Sequence, residues 1–130
     1  MDNPVNISGQ LLEDMVENYC VSNKISYKRA KPGAHEIDFI IDSSKGKIFA
    51  DCTNQMTGGS VEEKLPHKLW KYFKKYQYRN VYIIKGDHKI SAKVLEHCYE
   101  MARGYNFQLS FVNFEQFTNG LNAKEESFFG

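Results

Sequence analysis

Glu36-Ile37-Asp38-Phe39-Ile40-Ile41-Asp42 and, after the turn Ser43-Ser44-Lys45-Gly46, Lys47-Ile48-Phe49-Ala50-Asp51-Cys52-Thr53-Asn54 are the two stretches that decide the architecture. The first is a β-branched run whose Ile37, Phe39 and Ile41 fall on one face at the period of two that a strand imposes. In the second, Ile48, Ala50 and Cys52 share one face, and Asp51 and Thr53 the other. Two such runs joined by a short polar turn read as antiparallel neighbours.

Upstream, Leu11, Leu12, Met15, Val16 and Tyr19 recur at helical spacing, predicting a helix over residues 8–22 with Ser8 as N-cap. A short strand over 25–29 comes next, closed by Lys31-Pro32-Gly33. Downstream, Gly58-Gly59 breaks the chain, and Ser60-Val61-Glu62-Glu63 has the form of a capping box opening a second helix. Val61, Leu65, Leu69, Tyr72 and Tyr76 form its apolar stripe, and Pro66 predicts a distorted start or a local kink. A strand over 81–85, a helix over 91–103 ended by Gly104, a strand over 107–112 and a terminal helix over 114–121 complete the order. The expected fold class is α/β: an αβββαβ core, with a central mixed sheet flanked by helices on both faces.

The chain has 130 residues, 42% hydrophobic and 25% charged, ordinary values for one soluble globular domain. We expect a single domain over 1–130, with its core at about 8–112 and a frayed tail from about 122. No apolar run approaches the ~20 residues of a membrane span, and Met1-Asp2-Asn3-Pro4 lacks the layout of a signal peptide. Cys20, Cys52 and Cys98 are odd in number, with no Cys-x-x-Cys pair, which argues against a disulfide framework or structural zinc. The expected location is the reducing cytoplasm, with no membrane partner.

Asp38 and Asp51 carry the chemistry. Antiparallel pairing of their strands brings both carboxylates to one end of the sheet. Two carboxylates ~4 Å apart repel by about 4 kcal/mol at an effective dielectric of about 20. A hard divalent cation removes that cost, and Mg²⁺ held by two carboxylates keeps coordination positions for water and a phosphoryl oxygen. Spacing alone favours the plainer reading, two solvated aspartates on the outer face of an edge hairpin. Cys52 points away from Asp51 by strand alternation and reads as a small core residue. His35 either faces the turn surface or sits near the acids, while His67, His88 and His97 lack ligand spacing.

Asp38 followed by Asp51-Cys52-Thr53, in this order of elements, resembles the PD-(D/E)XK, or restriction-endonuclease-like, nuclease superfamily. The stretch from Asn54 through Gln55, Gly58-Gly59-Ser60 and Glu63-Lys64-Leu65-Pro66 is similar to a segment following the catalytic strand in some phage and restriction-type members. Gly9-Gln10-Leu11-Leu12-Glu13 resembles the family's first helix, which often places a Glu near the metal. The resemblance spans about residues 8–112 and implies a DNA endonuclease that hydrolyses phosphodiesters with a metal-activated water, of junction-resolving or restriction type. It implies Asp38 and Asp51 as ligands of Mg²⁺ (or Mn²⁺), assisted by Glu13. It further implies a homodimer, since a minimal domain cuts both strands as a symmetric pair. The chain departs from the family at Thr53, where a lysine usually stands; Gln55 or Lys64 is expected to take that role. Ile37 stands where the motif has proline. The alternative is a catalytically degenerate nuclease-fold protein that binds DNA without cutting it.

Lys64, Lys68, Lys71 and Lys75, spaced by four, three and four residues, fall on one helix face, with Lys74 and Arg79 beside them and no acid between Glu63 and Arg79. Trp70, Phe73 and Tyr78 are interleaved, as stacking platforms or as core. Lys28 and Arg29 form a second small basic cluster. Such a face suits a phosphate backbone, though it also suits solvent. If all four face lysines contact phosphate, log affinity against log salt should slope at about −3.6, about −0.9 per contact. A slope near zero in a salt titration would remove DNA as the partner of this face.

Overall fold

The computed structural model describes residues 9–31, 36–44, 46–53, 58–86 and 90–126, and their side chains except at 9, 58–63 and 122–126. In order, the elements are α1 (Gly9–Ser22), β1 (Tyr27–Arg29), β2 (Phe39–Ser43), β3 (Gly46–Thr53), α2 (Gly58–Trp70) with a π-helical turn (Lys71–Lys75), β4 (Asn80–Lys85), α3 (Ala92–Tyr105), β5 (Gln108–Val112) and α4 (Phe114–Glu126). The five strands lie side by side in chain order. β1, β2 and β3 pair antiparallel; β3, β4 and β5 pair parallel. This is the mixed α/β sheet that the strand patterns predict.

Parallel neighbours require crossovers, and α2 and α3 supply them on the same face. Leu65, Leu69, Tyr72 and Phe73 from the α2 segment and Val94, Cys98 and Ala102 from α3 pack there against Val81, Ile83 and Leu109. The opposite face is covered by α1 and α4, whose Leu12, Val16, Cys20, Phe117 and Leu121 meet Phe39, Ile41, Ile48, Ala50, Cys52 and Ile84. The strand alternation is therefore resolved into two cores, one on each side of the sheet. No helix among the described residues is long and apolar enough to cross a membrane.

Several boundaries differ from the sequence reading for identifiable reasons. The chain bends at Asp38, and β2 begins only at Phe39. Ile37 therefore joins the α2/α3 core, while Phe39 and Ile41 join the α1/α4 core, so the three do not share a face. α3 runs through Gly104 and ends at Asn106, whose φ of 61° is left-handed and whose N–H bonds back to Ala102 and Arg103; Asn adopts this conformation more readily than most residues. α2 continues through Pro66 to Trp70, and departure from α geometry falls at Lys71–Lys75. α4 extends to Glu126, beyond its expected end at 121. In the β2–β3 turn Gly46 has φ +119°, a conformation L side chains rarely adopt. The expected cap Ser8 and the Pro32-Gly33 turn lie outside the described residues, and the capping-box side chains at 60–63 lie outside the described side chains.

Phe73 anchors the α2/α3 core. It is fully buried, with ring centroids 6.0 Å from Tyr105 and 5.9 Å from Phe107. Phe73→Ala should cost about 3–5 kcal/mol in a urea titration, against less than about 0.5 kcal/mol for exposed Val21→Ala. Equal midpoints for the two variants would contradict this packing.

Candidate active site

Phe39 pairs with Ala50 across β2 and β3, so the next rung sets Asp38 opposite Asp51. Each carboxylate accepts a backbone N–H from the opposite strand. The Asp38 N–H donates to Asp51 Oδ1 at 3.3 Å, and the Cys52 N–H donates to Asp38 Oδ2 at 2.8 Å. The Asp38 carbonyl accepts from the Ala30 N–H at 2.8 Å, which fixes its backbone to the strand beyond. Asp51 is 2% exposed on the α2 face of the sheet, and Asp38 is half-buried. Burial, followed by the charge of Asp51, pushes the Asp38 carboxyl up to about 8, against the pull of the Cys52 N–H.

The cation at this pair is Lys68. Its Nζ lies 2.9 Å from Asp51 Oδ2, and although 45% of the side chain is exposed, the ammonium turns inward. Burial works against the ammonium, but Asp51 and then Asp38 outweigh it and hold Lys68 charged above its ordinary range. Tyr72, 3% exposed, closes the site from behind, its phenol pushed far up by burial and then by Asp51. On the other face Cys52 is buried, its thiol pushed well above the ordinary range by burial, then Asp38 and Asp51, so it stays protonated.

Topology explains why Lys68 arrives and Lys64 does not. β3 and β4 are parallel, so α2 must run back antiparallel to β3. Asp51 lies two residues before the end of β3, roughly 6–7 Å down the strand. A residue deeper into the returning helix, by about 6 Å for the four residues separating Lys64 from Lys68, is therefore level with it. Lys64 remains exposed. The lysine standing at the acids is thus Lys68, one turn beyond Lys64, and the sequence reading assigned Lys68 only to phosphate contact. Its signal was available in the i, i+4 spacing, but the choice between the two needed the docked helix. Gln55, His35 and His88 lie outside the described residues; Thr53 ends β3 half-buried.

A second charged cluster adjoins the first. Arg29 on β1 donates from Nη1 to Asp14 at 2.9 Å and Glu17 at 2.7 Å, and from Nη2 to Glu13 at 3.3 Å. Tyr27 donates to Glu17 at 2.6 Å. The guanidinium expected on DNA is committed to three carboxylates that tie α1 to the sheet. Glu13 lines an open cleft of about 480 Å³ together with Gln10, Glu17, Arg29, Ala30 and Lys31. Its charge adds to the upward push on Asp38.

Five carboxylates (Glu13, Asp14, Glu17, Asp38 and Asp51) thus face two cations, Arg29 and Lys68. Burial first, and then the charges of Asp51 and Glu13 from this group, hold the Asp38 carboxyl up. Hard oxygen donors in excess negative charge suit a divalent cation. Among the described residues no three His, Cys, Asp or Glu side chains converge into a coordination cage. The donor set fits an open site of two carboxylates, with Glu13 able to act through water, as Mg²⁺ accepts.

The remaining basic residues lie on the surface. Lys64 and Lys28 are exposed, Lys71 is half-buried, and Lys74 and Lys75 lie over the rings of Trp70 and Tyr76 at 5.5 and 5.4 Å. With Lys68 turned onto Asp51, three of the four face lysines are left for phosphate.

The Asp38 carboxyl gives stability a sign in pH. Folded, it keeps its proton up to about 8; unfolded, it releases it near 3.8. The folded state holds the extra proton between these values, so this group makes stability fall as pH rises through that window. In chelator, Asp38→Asn should flatten the pH dependence of the urea midpoint relative to the wild-type chain. An unchanged slope would contradict the burial of the pair.

A family model described as a PD-(D/E)XK nuclease superfamily domain matches residues 32–118, more than half of the chain. No curated protein and no solved structure matches it. The matched span runs from the approach to β2 through β5 into α4 and contains Asp38, Asp51 and Lys68, while α1 and β1, with Glu13 and Arg29, precede it. By that match, on a five-stranded mixed sheet covered on both faces, the chain belongs to the PD-(D/E)XK nuclease superfamily.

Proposed function

We propose that the chain is a metal-dependent DNA endonuclease whose centre is Asp38, Asp51 and Lys68. The ion pair of Lys68 with Asp51 at 2.9 Å carries this reading, because it returns to the acids the cation that Thr53 removes from the motif. Asp38 and Asp51 would hold Mg²⁺ or Mn²⁺, with Glu13 assisting through water. Bound there, the ion supplies Lewis-acid polarisation of the phosphoryl group and a more acidic water. The chain's own residues do the rest. Asp38 and Asp51 are fixed by backbone N–H groups, so the oxygens they present do not have to reorganise. Lys68 stays protonated and offers a point charge to the anion that develops at phosphorus. Tyr72 keeps bulk water from the back of Asp51.

Lys64, Lys71, Lys75 and Lys28 hold the DNA backbone in this reading, and two copies act as a homodimer to cut both strands. The substrate is a junction or a short restriction-type site. The three buried free thiols suit a reducing cytoplasm. One observation favours a second reading: Asp51 is nearly fully buried and already neutralised by Lys68. Such a pair also serves a nuclease fold that binds DNA without cutting.

A cleavage assay on supercoiled plasmid, linear duplex and a four-way junction, with Mg²⁺ or Mn²⁺, separates the two. Cleavage should disappear with EDTA and with Asp51→Asn. Lys68→Ala should lower the single-turnover rate by about 10²–10³, the usual loss for one transition-state donor. Lys64→Ala should act through affinity alone. The three face lysines left for phosphate contribute about −2.7 to the salt slope and Lys28 about −0.9 more, about −3.6 together. Salt-dependent binding without product under either ion would establish the binding protein instead.

A further inference from the structure

The outer flank of α2 carries a ridge that the acid centre does not use. Trp70, the one tryptophan of the chain, is 42% exposed. The His67 ring lies nearly parallel to it, at 17° with centroids 6.0 Å apart, and Lys74 Nζ stands 5.5 Å from the indole centroid. At about 100° per residue, Trp70 leaves the helix roughly 200° from Lys68. Lys68 turns in to Asp51, so the ridge looks away from the acids.

We propose that the ridge of His67, Trp70 and Lys74 binds unpaired nucleotides, so that of the two substrate types the junction, with a single-stranded arm, is the one taken; the inference rests on DNA being the substrate. Charge selects the partner. No acid occurs between Glu63 and Arg79, and Lys74 stands over the ring, so a polyanion is attracted. A second copy of the same face would bring like charges together and be repelled. The ring then selects unpaired over paired strands. A duplex keeps its base faces inside the stack and offers the ridge only phosphates, for which an indole has no use. An unpaired base offers a π-face.

Lys74 stands over the ring in the place such a base would take. An exposed cation–π contact is weaker than a base–aromatic stack, so the base displaces the ammonium, which is then free to meet the adjoining phosphate. The helix that separates ridge from acids is roughly 10 Å across, about three nucleotides of strand at 3.4 Å each. A scissile phosphate at the acids and an unpaired arm on the ridge can therefore belong to one branched molecule.

The test uses the full chain in EDTA, so it is read whether or not the chain cuts. Trp70 fluorescence is titrated with a short thymidine strand and with a duplex of the same length, and affinities of variants are followed by anisotropy of labelled DNA. The strand should quench Trp70 and the duplex should not. Trp70→Ala should weaken strand binding about tenfold and leave duplex binding unchanged, and Trp70→Phe should restore part of the loss. Strand binding unaffected by Trp70→Ala, or equal quenching by duplex, overturns the proposal. So does quenching that tracks protein concentration without DNA, which would make the ridge a self-association surface. Absence of cleavage with strand quenching intact counts against the endonuclease reading alone; cleavage without strand quenching counts against the ridge alone.

Discussion

Asp38 and Asp51 face each other across one rung of the β2–β3 ladder, and each carboxylate is tied to the other's strand by a backbone N–H. Two negative charges at that range are unfavourable by several kcal/mol at a protein-like dielectric. The surroundings supply what offsets it. Register is fixed from the sheet side by the hairpin, whose tight turn closes at Ser43 and Gly46. The ammonium comes from the crossover helix that parallel pairing of β3 and β4 demands. Burial raises the cost, because it removes the water that would otherwise screen the pair. The acids are thus tolerable only inside this topology.

The same logic extends to α1. Arg29 gathers Glu13, Asp14 and Glu17 at the sheet edge, so a helix that packs only its Leu12, Val16 and Cys20 stripe on the sheet is also held by charge along its flank. Single exposed ion pairs add little to stability, but one guanidinium shared by three carboxylates and 19% exposed fixes orientation. It keeps Glu13 near the acids and leaves the cluster short of positive charge. The two networks meet at the Asp38 carboxyl, where burial, Asp51 and Glu13 all push the same way.

Much of this was legible in the residues. Alternation in 36–42 and 47–54 gave both strands and their partnership, and the acids stood out because each interrupts an apolar run. Ile37 misled because strand alternation presumes an unbroken strand, and the chain bends at Asp38. Lys68 could not be separated from Lys64, since both occupy one helix face and only the docked depth of α2 against β3 distinguishes them. Arg29 read as a phosphate contact because its three partners are 12 to 16 residues away in sequence and meet it only through packing. The acids on α1 were visible, but a tertiary ion pair leaves no periodicity to read.

The π-helical turn at Lys71–Lys75 has a consequence for how such a chain can change over generations. A π turn closes i→i+5 where an α turn closes i→i+4, so it holds one residue more; here the Tyr76 N–H reaches the Lys71 carbonyl. The surplus residue begins three positions beyond Lys68. Gain or loss of a residue there rotates the downstream residues, Lys75 and Tyr76 among them, while the helix that delivers the ammonium to Asp51 keeps its phase. The surplus residue thus sits in a turn that also carries buried Tyr72 and Phe73, so a lineage that gains or loses a residue there must repack the core while Lys68, ahead of it, keeps its place.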